Sequence, residues 1–183
     1  LLEAVPGNAS GEAVSALSSL KRTLDDTVGM IQNICMDLRP AMLDDFGLVA
    51  TLEWTVRENE KRLKIPIQFA VDHVPESLDD EISVAIYRMT RECLTNIARH
   101  ARATGVDIRF FGDGHWLSLV VRDNGCGMKP GVAESPTSFG LSQLRERAST
   151  LGGFAQIESR PGEGTTVRIA LPASRPENRG GRP

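Results

Sequence analysis

The run from Trp116 to Asp123 constrains the fold more than any other stretch, because it alternates as a half-buried strand and ends in an acid. Successive side chains of a strand point to opposite faces, so Leu117, Leu119, Val121 and Asp123 share one side. The Asp123 carboxylate is therefore aimed inward at the end of an apolar face. A buried charge is costly unless it is paired, so Asp123 needs a partner. Asn124-Gly125-Cys126-Gly127-Met128 follows, and a Gly-, Pro- and Ser-rich segment without periodicity then runs to Phe139. That segment reads as a mobile loop. An inward carboxylate followed by two glycines is what a purine pocket needs: an acceptor for an exocyclic amine, with backbone free to approach the ring closely.

Upstream, Arg91-Glu92-Cys93-Leu94-Thr95-Asn96-Ile97-Ala98-Arg99-His100 places an acid, an amide and basic groups on a predicted helix. Residues three and four apart are neighbours on a helix surface, so Glu92, Asn96 and Arg99 form one polar ridge. Ile82, Ile86, Met89, Cys93 and Ile97 form the apolar stripe beside it. Taken alone, such a ridge is more simply a solvated helix flank. His100 points more nearly along the stripe, which leaves packing, helix-end hydrogen bonding and phosphate contact all open for it.

The remaining elements follow in order. Leu1 to Ala4 reads as a helical stub, and Val5 to Ser10 supplies turn chemistry. From Gly11 to Arg39 the apolar residues Val14, Leu17, Leu24, Val28, Ile31, Cys35 and Leu38 fall on a heptad broken only by Lys21. This favours a bundle with a partner chain over a helix packed on its own domain, and Pro40 ends it. Asp44-Asp45-Phe46-Gly47 leads into a second helix to about Lys64, then a strand runs from Ile65 to Val71, with His73 just past it. Ser77-Leu78-Asp79-Asp80 resembles a capping box, opening the helix that carries the ridge to about Arg102.

Val106–Phe111 and Trp116–Asp123 flank Gly112-Asp113-Gly114, a hairpin turn with His115 beside it. A helix is predicted to start at Gly140-Leu141, with Leu141, Leu144, Ala148 and Leu151 on one side, and to end at Gly152-Gly153. Its leading amides suit phosphate. Two last strands, Phe154–Ser159 and Thr165–Leu171, are joined by Pro161-Gly162-Glu163-Gly164. Thr165 shares a face with Val167, Ile169 and Leu171 and points inward. The tail from Ser174 is polar and expected to be disordered.

Among partners, nucleic acid is disfavoured, because the formal net charge of −3 is spread without a basic patch. No apolar run is long enough for a bilayer and no signal peptide is visible, so direct membrane contact by this chain is not expected. Three scattered cysteines, Cys35, Cys93 and Cys126, argue against a disulfide framework or a zinc cluster and point to a reducing, cytoplasmic setting. Cys126 reads as an inert small residue rather than a redox thiol.

The order of these motifs resembles the ATP-binding superfamily shared by histidine kinases, DNA gyrase, the heat-shock chaperone and the mismatch-repair ATPase. More closely it is similar to sensor histidine kinases of the nitrate-sensor type. Arg91 to Ala103 resembles that family's N box, Asp123 to Gly127 its first glycine box, and Gly140-Leu141 through Arg145-Glu146-Arg147-Ala148 its second. Gly162 to Val167 resembles the closing motif, and Leu38 to Leu48 the end of the dimerisation and phosphotransfer helix pair.

The resemblance implies an α+β fold, a two-layer α/β sandwich preceded by a long helix of a dimerisation hairpin. Residues 1–45 would be the remnant of the dimerisation and phosphotransfer domain, 46–173 the ATP-binding catalytic domain and 174–183 the tail. It further implies ATP and Mg²⁺ as ligands, with Asn96 on the metal, Glu92 as the base towards an attacking imidazole, and Arg99 on phosphate oxygens. Asp123 would bind the adenine amine with support from Thr165, Gly125 and Gly127 would shape the pocket, Gly140 and Leu141 would lie at the nucleotide, and Met128 to Phe139 would be the lid. Homodimerisation through the 11–39 helix and a response-regulator partner are implied as well.

The substrate histidine departs from that pattern. None of His73, His100 and His115 has the phosphoacceptor's setting, so that residue is expected before Leu1, in a parent protein that can be membrane-anchored. A chain without it would bind ATP but not phosphorylate itself. The competing class is a nucleotide-controlled anti-sigma-type Ser/Thr kinase or binding module of the same superfamily, disfavoured by the heptad helix and the Leu38 to Leu48 motif. A helical dimer with a dead pocket is disfavoured by the full set of pocket residues.

Overall fold

The computed structural model describes residues 41–132 and 139–174. The chain divides into two compact units, 1–40 and 41–183, and the described residues belong to the second. The expected stub, the heptad helix, Pro40 and all of the tail past Ser174 lie outside the described residues.

Five strands form one mixed sheet in the order β1-β2-β3-β5-β4: β1 Ile67–Asp72, β2 Val106–Gly112, β3 Trp116–Asp123, β4 Phe154–Arg160 and β5 Gly164–Pro172. Three helices, α1 Ala41–Leu63, α2 Asp80–Asn96 and α3 Phe139–Thr150, accompany it. The expected α+β, two-layer arrangement is found, since α1 packs on α2 and β1, α2 on β3, and α3 on α2 and β4. Strand β1 runs parallel to β2, and every other pairing is antiparallel. The β2–β3 hairpin and the β4–β5 hairpin form by local turns. The parallel β1–β2 pair instead needs a crossover, which α2 supplies.

Strand β3 alternates as its sequence predicts. Leu117, Leu119, Val121 and Asp123 are all buried, and they meet Leu171, Ile169, Val167 and Thr165 of β5 in register. Val106, Ile108 and Phe110 continue the layer on β2, and Ile82, Ile86, Met89, Cys93 and Leu94 of α2 close it from above. The expected alternation of β1 fades outwards from buried Ile67 to exposed Val71, because β1 is an edge strand. Buried Thr51, Thr55 and Thr90 return their hydroxyl protons to the carbonyls of Gly47, Thr51 and Ile86, so none is left unpaired.

Three helix boundaries differ from expectation. Compact packing begins at α1 before Asp44, with Leu43 already buried, and α1 bends at Gly47, whose φ of 75° suits a residue without a Cβ. The start of α2 is not a Ser77 capping box. Asp79 is the N-cap, accepting from the amides of Glu81 and Ile82, because its short carboxylate reaches the second and third amides directly. The same helix does not stay α-helical to Arg102. Its last turn, Ile97–Ala101, is π-helical, and Arg102 ends it in the left-handed region at φ 51°. Among the described residues no helix is long and apolar enough to cross a membrane.

Candidate nucleotide-binding site

The polar end of β3 is held open by its neighbours. Asp123 Oδ1 accepts the Gly125 amide at 2.8 Å, and the carboxyl is held above the ordinary value of 3.8 chiefly by burial, while the backbone N–H groups of Gly125 and Thr165 pull it back. The glycine loop that follows is stitched on both sides. On one side the Cys126 amide donates to the Ala101 carbonyl at 2.7 Å, and Asn124 Oδ1 accepts the amides of Thr104 and Gly105. On the other side the Gly162 amide donates to the Cys126 carbonyl at 2.8 Å, and the Met128 amide donates to Ser159 Oγ at 2.8 Å. Gly127 has φ 63°, and a side chain there would run into the Arg160 carbonyl, so the loop can close on the β4–β5 hairpin only with glycine at that position.

Beside this loop lies a largely apolar cavity of about 390 Å³. Cys93, Ile97, Ala101 and Val121 line its wall, Asp123, Thr165 and Val167 its strand end, and Asn96, His100, Gly140 and Leu141 its helix end, with Met128, Val132 and Phe139 around the rest. Six residues singled out from sequence therefore converge as lining: Asn96, His100, Asp123, Gly127, Gly140 and Leu141, with Thr165 a seventh. Gly125 stands behind the wall, packed so closely on Ala101 that a Cβ would strike its carbonyl. Glu92 also stands behind, where its Oε1 accepts from Asn96 Nδ2 at 3.1 Å and lies against Gly140.

Arg99 is exposed and outside the lining, whereas exposed His100 is in it. Both the third and the fourth residue after Asn96 neighbour it on a helix surface, the fourth at the smaller angle, and His100 is the fourth. The turn that carries it is π-helical, with bonds that close i to i+5, and nothing in residues 97–101 signals that change of pitch.

Cys93, Ile97, Val121 and Val167, whose sequence pattern marks them as core, also line the cavity. Those positions serve both roles, since the cavity is a gap between the helix layer and the sheet. Burial, aided by the charges of Glu92 and Asp123, pushes the Cys93 thiol up to about 12, so it behaves as a small apolar group. No local pattern singles out Asn124 or Ser159. Both act through hydrogen bonds across many residues of sequence, which local patterning does not reveal. The expected lid segment is described as far as Val132 and again from Phe139, which is 69% exposed.

Comparison with known proteins agrees with this geometry. Residues 81–175, more than half of the chain, match the family model described as histidine kinase-, DNA gyrase B- and HSP90-like ATPase. The signal transduction histidine-protein kinase/phosphatase DegS of Brevibacillus brevis is 30% identical over 166 residues, covering 91% of this chain and 43% of that protein. The oxygen sensor histidine kinase NreB of Staphylococcus carnosus is 29% identical over 153 residues, covering 84% of this chain and 43% of that protein. The chain thus spans less than half the length of these curated relatives. A blue-light activated histidine kinase of Erythrobacter litoralis superposes with a TM-score of 0.58 at 25% identity, over 69% of this chain and 42% of that one. Fold, cavity and motif order lead to one family: the chain belongs to the histidine kinase-, DNA gyrase B- and HSP90-like ATPases.

Proposed function

We propose that this chain is the ATP-binding catalytic part of a sensor histidine kinase, which transfers the γ-phosphate of ATP to a histidine for relay to a response-regulator aspartate. One observation carries the reading: a buried carboxylate, Asp123, faces across an apolar cavity towards a hydrogen-bonded Glu92–Asn96 pair at the helix end. Adenine fits between them, its exocyclic amine on Asp123 and its faces on apolar walls. Gly127 keeps the backbone close to the ring, Gly125 lets the loop pack on Ala101 behind it, and Thr165 supports the amine contact.

At the helix end Asn96 turns its Nδ2 to Glu92, so its carbonyl oxygen is available, and among the described residues no donor reaches it. Oxygen from an amide suits Mg²⁺, which keeps most of its waters and would neutralise phosphate oxygens there. Among the described residues there is no cluster of three or more acidic, Cys or His side chains able to hold a metal. The ion would therefore be held by Asn96 together with the phosphates. Glu92, fixed by Asn96, would take the imidazole proton as phosphate transfers. His100 and the amides at Gly140 and Leu141 lie where phosphate oxygens would extend, and Arg99 would reach them from outside.

The domain division follows the same reading, with residues 46–173 as the catalytic domain and 1–45 as part of the dimerisation and phosphotransfer domain. Homodimerisation through residues 11–39, a response-regulator partner and a cytoplasmic location of this part belong to it as well. The DegS and NreB names, both histidine kinases, support it.

The test mixes the chain with labelled Mg-ATP and a polypeptide carrying a histidine-bearing dimerisation helix. Acid-labile, alkali-stable phosphate should appear on the polypeptide and vanish with Asn96→Ala. Acid-stable phosphate on Ser or Thr would instead establish an anti-sigma-type kinase and overturn the histidine reading.

A further inference from the structure

Ser159 lies on β4 behind the cavity and does not line it, yet its hydroxyl touches three groups that define the site. Its Oγ is 2.8 Å from the Met128 amide nitrogen, 3.0 Å from the Gly164 carbonyl and 2.9 Å from Thr165 Oγ1. A serine hydroxyl has one proton and two lone pairs. The Met128 amide can only donate and the Gly164 carbonyl can only accept. Ser159 therefore gives its proton to Gly164, accepts from Met128, and has one lone pair left for Thr165. The Thr165 hydroxyl must be the donor in that contact.

With its single proton committed backwards to Ser159, Thr165 presents only lone pairs to the cavity. It does so beside Asp123, its register partner across β3 and β5. From the hydroxyl geometry we infer that Ser159 is a positioning residue that fixes the Thr165 hydroxyl as an acceptor, so that the base end of the pocket selects a 6-amino purine over a 6-oxo purine. The inference rests on the ATP reading of the cavity and names what sets its base specificity. A site whose polar groups all accept matches the two N–H bonds of a 6-amino group. A 6-oxo group would bring lone pairs against lone pairs, which such a site rejects. The same oxygen holds the Met128 amide, where the segment after the glycine loop begins. Base selection and the root of that segment therefore share one atom.

The test compares ATP with inosine triphosphate, which has a 6-oxo group in place of the amine, by calorimetric titration. The wild-type chain should favour ATP. Ser159→Ala releases the Thr165 proton to rotate into the cavity and meet a 6-oxo group. The ratio of affinities should then fall about tenfold, the size expected when one hydrogen bond changes from matched to mismatched. Ser159→Thr keeps the hydroxyl and should restore the ratio. Amide exchange at Met128 should quicken in Ser159→Ala and return in Ser159→Thr.

A role confined to stability would lower both affinities equally and leave the ratio unchanged, and that result overturns the inference. Should Ser159→Ala fail to fold, Thr165→Val removes the acceptor from within the cavity. It should lower the ratio similarly, and an unchanged ratio there also overturns the inference. If the wild-type chain binds neither nucleotide, the ATP reading falls and takes the inference with it. If the wild type discriminates and Ser159→Ala discriminates equally, the inference alone falls.

Discussion

At the strand end of the cavity, Asp123 is 5% exposed, accepts the Gly125 amide and is followed by a loop tied down on both sides. At the helix end, His100 and Arg99 are exposed, Phe139 is 69% exposed, and Glu92 and Asn96 are held mainly by each other. On the proposed reading, the difference divides two tasks. Recognising a flat base needs acceptors that do not move, and strands β3 and β5 would supply them through ladder hydrogen bonds. Moving a phosphoryl group needs side chains that can rearrange around changing charge, and a helix that ends in a π turn leaves them that room.

The largest effect is expected at the helix end. Glu92→Gln should lower phosphotransfer to an acceptor histidine by about 10²- to 10⁴-fold, the range of a lost general base, with much less change in ATP affinity. Quenched-flow rates and calorimetry check this, and an equal loss in both would erase the division of labour. At the strand end Asp123→Ala should weaken ATP binding by roughly ten- to a hundredfold, as for a lost hydrogen bond to a charged group. An unchanged dissociation constant would sink the adenine assignment.

Two glycines sharpen the same contrast through stability. A methyl on Gly125 meets the Ala101 backbone, whereas one on Gly140 meets the tip of the Glu92 side chain. Backbone cannot step aside, so Gly125→Ala should cost about 1–3 kcal/mol as overpacking does, visible as a lower midpoint in thermal unfolding. Gly140→Ala should unfold near the wild-type temperature and lose phosphotransfer instead, since Glu92 is displaced. Equal stability losses in both would contradict the picture of a rigid end and an adjustable one.

The smallest effect concerns pH. Burial holds the folded carboxyl of Asp123 above its ordinary value of 3.8, because it disfavours the ionised form. Its protonation as pH falls through the raised value therefore stabilises the fold through this group. On the proposed reading the same protonation removes charge from the acceptor of the adenine amine, so ATP affinity should decline as pH falls through that raised value. Calorimetry across that window in wild type and Asp123→Asn checks it, with the decline missing from the variant.

Local patterning reached much of this site because most of its parts are short-range. The β3 alternation places Asp123 inward, the matching alternation of β5 does the same for Thr165, and the Glu92–Asn96 spacing brings those side chains within hydrogen-bond reach on one helical turn. His100 rather than Arg99 lines the cavity because, as the fourth residue after Asn96, it lies closer to that side chain's direction than the third does. The cap falls at Asp79 rather than Ser77 because the helix starts at Asp80, which sets the Asp79 carboxylate, and not a hydroxyl two residues earlier, against the second and third amides.

The amino-acid sequence by itself determined which face of each strand is buried, which carboxylate ends inside, and where glycines let backbone approach backbone. Periodicity and side-chain chemistry are properties of neighbouring residues. Only the tertiary structure decided that β1 joins the sheet in parallel at its edge, that His100 rather than Arg99 enters the cavity, and that Asn124 and Ser159 clamp the glycine loop from two sides. Those outcomes depend on atoms meeting across the chain, as Met128 meets Ser159, where the contact exists only once the β4–β5 hairpin has packed against the end of β3.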